Sequence, residues 1–305
     1  MGRSGGSPRT CSRSSDEPVD RTHPEAEVHI DTALATALLQ EQCPDLMSHP
    51  PALVDEGWDN VTFQVGAEHA LRLPRRELAV RLLENEQRWL PTLSDWIRLE
   101  TPTPVFRGQP SERFGWPWSV VTWVPGRTAE GRPLDGASAK VLAVALRALH
   151  RAAPSEAPTN PFRGVPLAGR RQVVESRLTG LGLAQLREVW ANAIDATASP
   201  DRVWLHGDLH PRNVVCREGR LVGLIDWGDL CAGDPATDLA CAWTLFEKPE
   251  REIFLGTYVA AEGALVRAAG WAVNFATGLV ASGEPRHVPM GWDIIRRLVE
   301  REGSE

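Results

Sequence analysis

The segment from Trp204 to Asp229, WLHGDLHPRNVVCREGRLVGLIDWGD, constrains the fold of this chain more than any other. It contains two short apolar runs on either side of Glu218-Gly219, a pair that favours a hairpin turn. Side chains that can bind a metal or accept a proton precede the first run and follow the second. Because a hairpin brings its open ends together, we expect Asn213 and Asp226 to lie close to each other.

The spacing of these polar residues favours phosphoryl transfer. HGDLHPRN has the pattern H-x-D-L-x-x-x-N of a kinase catalytic loop, and a D-x-G element begins thirteen residues after Asn213, at Asp226. Mg²⁺ prefers oxygen ligands and offsets the charge of a γ-phosphate. We predict that Asn213 and Asp226 bind Mg²⁺, and that Asp208 orients an acceptor hydroxyl and takes its proton. Alone, either motif would fit a loop cap or a turn residue equally well.

The first half of the chain is predicted to be a small β-rich lobe. IDTALATALLQEQCPDL favours an amphipathic helix with Asp31 as N-cap. VTFQVGAEHALRLP alternates apolar and other residues in two runs, which predicts a hairpin. A helix over residues 77–93 and strands at 104–107 and 118–124 follow. We expect the lobe as a whole to be a five-strand antiparallel sheet with this one main helix against it.

One acidic residue of that helix, Glu86, stands in the middle of its apolar stripe, whereas Glu77 and Glu84 do not. A buried carboxylate is costly unless it is paired. Arg72 on the neighbouring strand is the predicted partner. A plain interior ion pair without function remains the alternative.

The predicted organisation has three parts: a Ser/Gly/Arg-rich disordered tail (1–27), a nucleotide-binding lobe (28–124), and a catalytic and substrate-binding lobe (125–305) that begins at Pro125-Gly126. The second lobe is predicted to be mainly helical, with helices over 137–151, 171–196, 235–246, 250–269 and 292–301. The fold class is therefore α+β.

Composition restricts the class of protein further. The 305 residues carry a net charge of −7, which disfavours a nucleic-acid binder. Five scattered cysteines without a CxxC pair are typical of reduced thiols in a cytoplasmic protein. No stretch of 18 uninterrupted apolar residues occurs, so we expect no membrane span. A monomer or weak dimer is expected.

HGDLHPRN, IDWGD and GDPATDLA, with EGWDNVTF and ALRLP upstream, resemble the aminoglycoside phosphotransferase family, whose fold is the protein-kinase-like two-lobe fold. The resemblance extends from about Val28 to the C-terminus and is strongest over 205–240. It implies that Asp208 is the catalytic aspartate and that Asn213 and Asp226 are the metal ligands. It also implies structural roles for His206 and for Asp238, which would hold the catalytic loop.

The same resemblance implies a nucleotide site for ATP or GTP. Arg72 stands where the family has a phosphate-binding Lys or Arg, with Glu86 as its partner. The backbone groups of Thr122 and Val124 would bind the purine base. Gly57 alone represents the glycine-rich loop, because G-x-G-x-x-G is absent from DEGWDNVTF.

The acceptor is the least defined part of the prediction. The family acts on small hydroxyl compounds, which include cationic aminoglycosides and other antibiotics. Eight acidic and two basic residues between Asp226 and Leu265 fit an acidic cleft for a cationic substrate, or simply a solvated helix face. Two rival functions remain: a nucleotide-binding pseudokinase, and a metal-dependent hydrolase that uses His206, Asp208 and His210.

Overall fold

Five antiparallel strands form the sheet of the first lobe, as predicted. In the computed structural model, which describes residues 26–197, 199 and 201–300, they pair in the order β1-β2-β3-β5-β4. Their bounds are β1 Ala52–Glu56, β2 Asn60–Val65, β3 His69–Pro74, β4 Pro104–Gly108 and β5 Trp118–Thr122. The β2–β3 hairpin places Thr62 opposite Arg72, and Arg72 lies opposite Ser119 of β5. Arg72 is therefore in the central strand of the sheet.

The two faces of the sheet are covered by different helices. Leu71 and Leu73 share a buried core with helix α1 (Thr32–Gln42), and the side chain of Asp31 caps that helix by accepting the amide of Leu34 at 2.8 Å. Because side chains alternate along a strand, Arg72 points to the opposite face. Helix α2 (Glu77–Ile97) covers this face, and it is four residues longer than predicted.

The second lobe is mainly helical and contains the predicted polar hairpin. Its helices are α3 Gly136–Leu149, α4 Arg171–Gly180, α5 Arg187–Asp195, α6 Ala236–Leu239, α7 Cys241–Leu245, α8 Lys248–Tyr258, α9 Glu262–Ala281 and α10 Val288–Val299. Its strands are β6 Arg127–Thr128, β7 Val203–Leu205, β8 Val214–Arg217, β9 Arg220–Leu224 and β10 Cys231–Gly233. Strand β8 pairs with β6 and β9, and β7 pairs with β10.

Three of the helices predicted for this lobe are each divided in two. The 171–196 helix is interrupted near Gly182, which has a φ of +68°, and the 250–269 helix is interrupted at Val259, which has a φ of +59°. Residues in this left-handed conformation end a helix, because the following amides leave the helical path. Hydrophobic periodicity continues across both interruptions, so the pattern did not reveal them.

Helix α9 is long and apolar enough to cross a membrane by length and composition alone. However, ten of its residues are buried within the fold, and it lies in the largest apolar core of the protein. Its composition is therefore that of a core helix.

The first residues of the first lobe are tied to its sheet. Glu27 donates its amide to the carbonyl of Arg75 at 2.9 Å and accepts the amide of Glu77 at 3.2 Å. The predicted tail otherwise lies outside the described residues, as does Cys11. Within the described part of the chain the cysteines are unpaired, and burial raises the pKa of Cys43 to about 11.

Candidate active site

A cleft of about 670 Å³ lies between the two lobes and collects most of the predicted site residues. Those that line it are Gly57, Arg72, Thr122, Val124, Asp208, Asn213 and Asp226. Glu86 lies behind Arg72 and is buried. The sequence therefore predicted residues that the fold does bring together from both lobes.

The catalytic loop leaves β7 through a turn that requires glycine. Gly207 has a φ of +89°, and a Cβ atom at this position would lie 2.5 Å from the carbonyl oxygen of Asp229. The buried carboxylate of Asp238 accepts the amides of His206 at 2.7 Å and of Gly207 at 2.8 Å. A glycine conformation and one buried carboxylate thus fix the direction of the loop before it reaches Asp208.

His206 is a structural residue in this loop. Its ring is fully buried and packs against Trp227, with 4.6 Å between ring centroids. Its Nε2 lies 3.1 Å from the carbonyl oxygen of Ile225, and its Nδ1 accepts the amide of Asp208 at 3.3 Å. Burial lowers the pKa of His206, although nearby carboxylates oppose the shift. Both ring nitrogens are engaged by backbone, so neither faces the cleft.

The carboxylate of Asp208 is surrounded by positive and polar groups. Arg163 donates to Oδ1 at 3.1 Å, and Nε2 of His210 lies 3.2 Å from Oδ2. Burial alone would raise the pKa of Asp208, but the charges of His210 and Arg163 outweigh it and the pKa is well below its usual range. Such a carboxylate is a weak base, so it is better suited to orienting a hydroxyl than to removing its proton early in a reaction.

Asn213 and Asp226 stand at the open end of the β8–β9 hairpin, as expected. The amide of Ile225 donates to the carbonyl of Asn213 at 2.9 Å, which brings the two segments side by side. The Nδ2 of Asn213 donates to the carbonyl of Asp208 at 2.9 Å and thereby orients the side-chain amide. Asp226 has a φ of +59°, a conformation that is uncommon outside glycine and often marks a functional site.

These two side chains fit a Mg²⁺ site that is completed by phosphate oxygens and water. The Asp226 side chain is 57% exposed, and its Oδ1 accepts from Arg72. Among the described residues no group of three or more His, Cys, Asp or Glu side chains could hold a metal by itself. A site with one carboxylate and one amide oxygen suits Mg²⁺, which retains water and phosphate ligands, and not zinc, which usually takes three or four protein ligands.

Arg72 links the main helix to the segment that carries Asp226. Its Nη1 donates to Glu86 at 2.5 Å, and its Nη2 donates to Oδ1 of Asp226 at 3.2 Å. Arg72 is 7% exposed and Glu86 is 2% exposed. Burial raises the pKa of Glu86, and the charge of Arg72 opposes the shift. The predicted pair is present, and Asp226 joins it as a third member.

The nucleotide end of the cleft is bordered by the segment that joins the lobes. The amide of Thr122 donates to the carbonyl of Thr103 at 2.9 Å and is therefore not available to a ligand. The amide of Val124 has no hydrogen-bond acceptor in the part of the chain that the structure describes. At Gly57 the amide donates to the carbonyl of Asn60 at 2.9 Å, which closes a tight turn between β1 and β2.

That turn is fastened to the second lobe by ion pairs and one indole hydrogen bond, which together we call the interlobe clasp. Asp55 accepts from Arg286 at 3.2 Å and lies 3.6 Å from Arg212. The indole of Trp58 donates to Glu284 at 3.2 Å. The clasp closes one side of the cleft with Arg212 and with residues from the segment between α9 and α10.

Sequence reasoning missed Arg163 and the clasp. Arg163 contacts both Asp208 and Asp229, with a distance of 3.4 Å to Oδ2 of the latter, and Asn160 donates to Oδ1 of Asp229 at 2.6 Å. A single arginine among many has no diagnostic spacing, so no pattern could have identified it. Asp229 is thus held by protein partners.

Comparison with known proteins identifies the class to which this fold and site belong. A family model described as "Phosphotransferase enzyme family" matches residues 52–273. An aminoglycoside 3'-phosphotransferase of Escherichia coli is 30% identical over 167 residues, which are 50% of this chain and 56% of that protein. The match thus spans little more than half the length of that relative.

Solved structures share the fold across almost the whole chain. The GDP complex of aminoglycoside 2'-phosphotransferase-IIIa superposes with a TM-score of 0.67 and 18% identity, covering 90% of this chain and 100% of the other. A macrolide 2'-phosphotransferase from Brachybacterium faecium superposes with a TM-score of 0.56 and 20% identity, with the same coverage. The two-lobe kinase-like fold is confirmed, and the chain belongs to the phosphotransferase enzyme family, which includes the aminoglycoside phosphotransferases.

Proposed function

We propose that this protein transfers the γ-phosphoryl group of ATP or GTP to a hydroxyl group of a small molecule. The observation that carries the proposal is the convergence of Asp208, Asn213 and Asp226 at the cleft, next to the buried Arg72–Glu86 pair. Each group alone has a structural explanation. Together they supply the positioning and charge neutralisation that phosphoryl transfer requires.

In the proposed reaction the acceptor oxygen forms a bond to the γ-phosphorus, while the bond between that phosphorus and the β–γ bridging oxygen breaks. The nucleoside diphosphate leaves, and the hydroxyl proton passes to Asp208. A bound Mg²⁺, held by Asn213 and Asp226, would offset the charge on the phosphate oxygens. Arg72 would hold a phosphate of the nucleotide, and the Val124 amide would donate to its base.

Asp208 acts mainly by orientation in this proposal. Its pKa is depressed, so it receives the proton only when the bond to phosphorus is well formed and the acceptor oxygen has become acidic. This order agrees with a loose transition state, in which the nucleophile needs little activation. Arg163 and His210 then keep the carboxylate directed at the acceptor.

The two rival functions are weaker. A metal-dependent hydrolase would need His206 as a ligand, but both of its ring nitrogens are bonded to backbone groups. A pseudokinase would bind nucleotide without turnover, yet Asp208, Asn213 and Asp226 are all present. We further propose that the protein is cytoplasmic and is a monomer or a weak dimer. We propose that its acceptors belong to the broad class of hydroxyl compounds that also contains the aminoglycosides and macrolides after which its relatives are named.

A panel of hydroxyl compounds with γ-labelled ATP or GTP and Mg²⁺ tests the proposal. Label should move to an acceptor with the parent protein and not with Asp208→Ala, while nucleotide binding persists in both. Nucleotide binding without label transfer to any acceptor would support the pseudokinase. Hydrolysis that needs zinc or manganese and no nucleotide would support the hydrolase.

A further inference from the structure

The cleft continues beyond Asp208, away from the nucleotide end marked by Arg72 and Val124. Its walls there include Arg163, Arg170 and Arg177, which we call the arginine wall, together with Phe275 and Leu279. In-line phosphoryl transfer places the acceptor on the side of the γ-phosphate opposite to the leaving diphosphate. Under the proposed function, this end of the cleft is the acceptor end.

Two members of the arginine wall have no anionic partner among the residues that the structure describes. Arg163 is paired with Asp208 and Asp229, at 3.1 and 3.4 Å. Arg170 and Arg177 form no ion pair with any described residue. Arg170 lies over the ring of Phe162, with 5.5 Å to its centroid, and its Nε is buried without a hydrogen-bond partner. Both side chains are partly buried, so water compensates their charges incompletely.

Neighbouring members of the arginine wall also lie close enough to repel each other. Burial and the charge of Arg163 lower the pKa of Arg170, and burial and the charge of Arg170 lower the pKa of Arg177. Arg177 is held against α9, where a Cβ atom on Gly278 would lie 3.2 Å from its Nη1. Like charges gathered in a cleft destabilise the folded protein unless an anion lies between them.

The acids of the run after Asp226 do not compensate the arginine wall. Of the eight acids between Asp226 and Leu265, only Asp226 and Asp229 line the cleft, and both accept from arginines. Asp234 is paired with Arg267 in the interior. The others do not line the cleft, among them Asp238, which holds the catalytic loop, and Glu247, which is paired with Arg296 and Arg297. None of these eight acids therefore offsets the charges of Arg170 and Arg177.

We propose that the acceptor is an anionic hydroxyl compound, whose carboxylate or phosphate group binds between Arg170 and Arg177 while its hydroxyl lies at Asp208. The proposal rests on the proposed function and narrows its substrate class. The guanidinium fork of arginine matches carboxylate and phosphate oxygens in pairs. A polyamine sugar would instead place its ammonium groups against the arginine wall.

Sugars and sugar derivatives of different charge distinguish the effect of the acceptor's charge on binding from the effect of its shape. The full-length protein, saturated with Mg²⁺ and nucleotide, is titrated at constant ionic strength with gluconate, glucose 6-phosphate, glucose, glucosamine or kanamycin. Binding is measured by thermal shift and calorimetry, and transfer is followed with γ-labelled nucleotide. The test variants are Arg170→Gln and Arg177→Gln. The control is Arg171→Gln, because Arg171 is an exposed neighbour paired with Glu175 at 3.4 Å.

We expect the two anionic probes to bind and the neutral and cationic ones to bind at least about tenfold more weakly, since one charge-assisted contact is worth about a factor of ten or more. Arg170→Gln and Arg177→Gln should abolish this preference and Arg171→Gln should keep it. A preference for gluconate or for glucose 6-phosphate identifies the anionic group as a carboxylate or a phosphate.

Three results would overturn the proposal: tighter binding of kanamycin or glucosamine, equal binding of anions by the test variants, or no binding of either anion. Failure of the proposed function has a different signature. Anion binding that depends on Arg170 and Arg177, without label transfer to any acceptor, would contradict phosphoryl transfer and leave the anion site in place.

Discussion

Replacing Glu86 with alanine tests the buried network that links the main helix, through Arg72, to Asp226. The variant leaves Arg72 with its charge, 7% exposed, and removes the closer of its two carboxylate partners. Only Asp226 remains, at 3.2 Å and with a side chain that is 57% exposed. The guanidinium therefore becomes a buried cation that is only partly compensated.

The expected loss of stability follows from this geometry. Removing one partner of a buried ion pair costs about 3–5 kcal/mol, most of it from the charge left behind. Because Asp226 stays in contact with Arg72, we expect Glu86→Ala to lower the free energy of unfolding by about 3 kcal/mol, near the bottom of that range. Glu84→Ala is the matched control, since Glu84 is an exposed carboxylate two residues earlier on the same helix.

Denaturant unfolding measures the free energy, and a double variant separates stability from function. In Arg72→Met/Glu86→Leu no charge remains buried, so stability should return to within about 1 kcal/mol of the parent. Nucleotide affinity should stay about tenfold or more below the parent, because a phosphate contact is lost. A cost of less than about 1 kcal/mol for Glu86→Ala would show that the pair is not a buried, uncompensated charge network. Normal nucleotide binding by the double variant would show that Arg72 has a structural role only.

Three further predictions concern the catalytic loop. Asp226→Ala should raise the Mg²⁺ concentration needed for half-maximal transfer, measured by Mg²⁺ titration, and an unchanged titration would exclude it as a ligand. Gly207→Ala should lower the free energy of unfolding by at least about 2 kcal/mol, because of its positive φ and the contact with Asp229; denaturant unfolding would refute this if the variant matched the parent. Burial lowers the pKa of folded His206 below 6.5. The contribution of neutral His206 to stability is therefore complete above about pH 6.5, and it declines as the pH falls through the folded pKa, by up to about 1.4 kcal/mol per pH unit. The melting temperature, measured from pH 8 to 5, should therefore fall less steeply for His206→Gln than for the parent.

The sequence predicted the residues whose type and spacing are both restricted by the chemistry. Asp208, Asn213 and Asp226 follow from a loop and hairpin of fixed length, and the Arg72–Glu86 pair follows from one acid on an apolar stripe. These patterns depend on the spacing of residues within one loop, hairpin or helix, and this spacing is the same in the folded protein as in the sequence.

Contacts between distant segments could not be predicted in this way. Arg163 reaches Asp208 from a segment 45 residues earlier, and Arg286 reaches Asp55 across 231 residues. Their positions depend on how helices pack, and periodicity does not encode packing. The run of acids after Asp226 shows the converse problem. An acidic cleft was one interpretation of this run, but residues that are close in sequence lie in different parts of the fold, and only Asp226 and Asp229 of the run line the cleft. The helix interruptions at Gly182 and Val259 arise from backbone conformations that hydrophobicity does not report.

Under the proposed function, the interlobe clasp affects the order of events in each catalytic cycle. If the turn between β1 and β2 covers the phosphates, the diphosphate leaves only after Asp55 and Trp58 separate from the segment that carries Glu284 and Arg286. Salt weakens exposed ion pairs. Added salt should therefore increase the rate at which the diphosphate dissociates, and it should lower the affinity of Arg170 and Arg177 for an anionic acceptor. A single increase in ionic strength would then speed up release of the nucleoside diphosphate and slow down binding of the next acceptor.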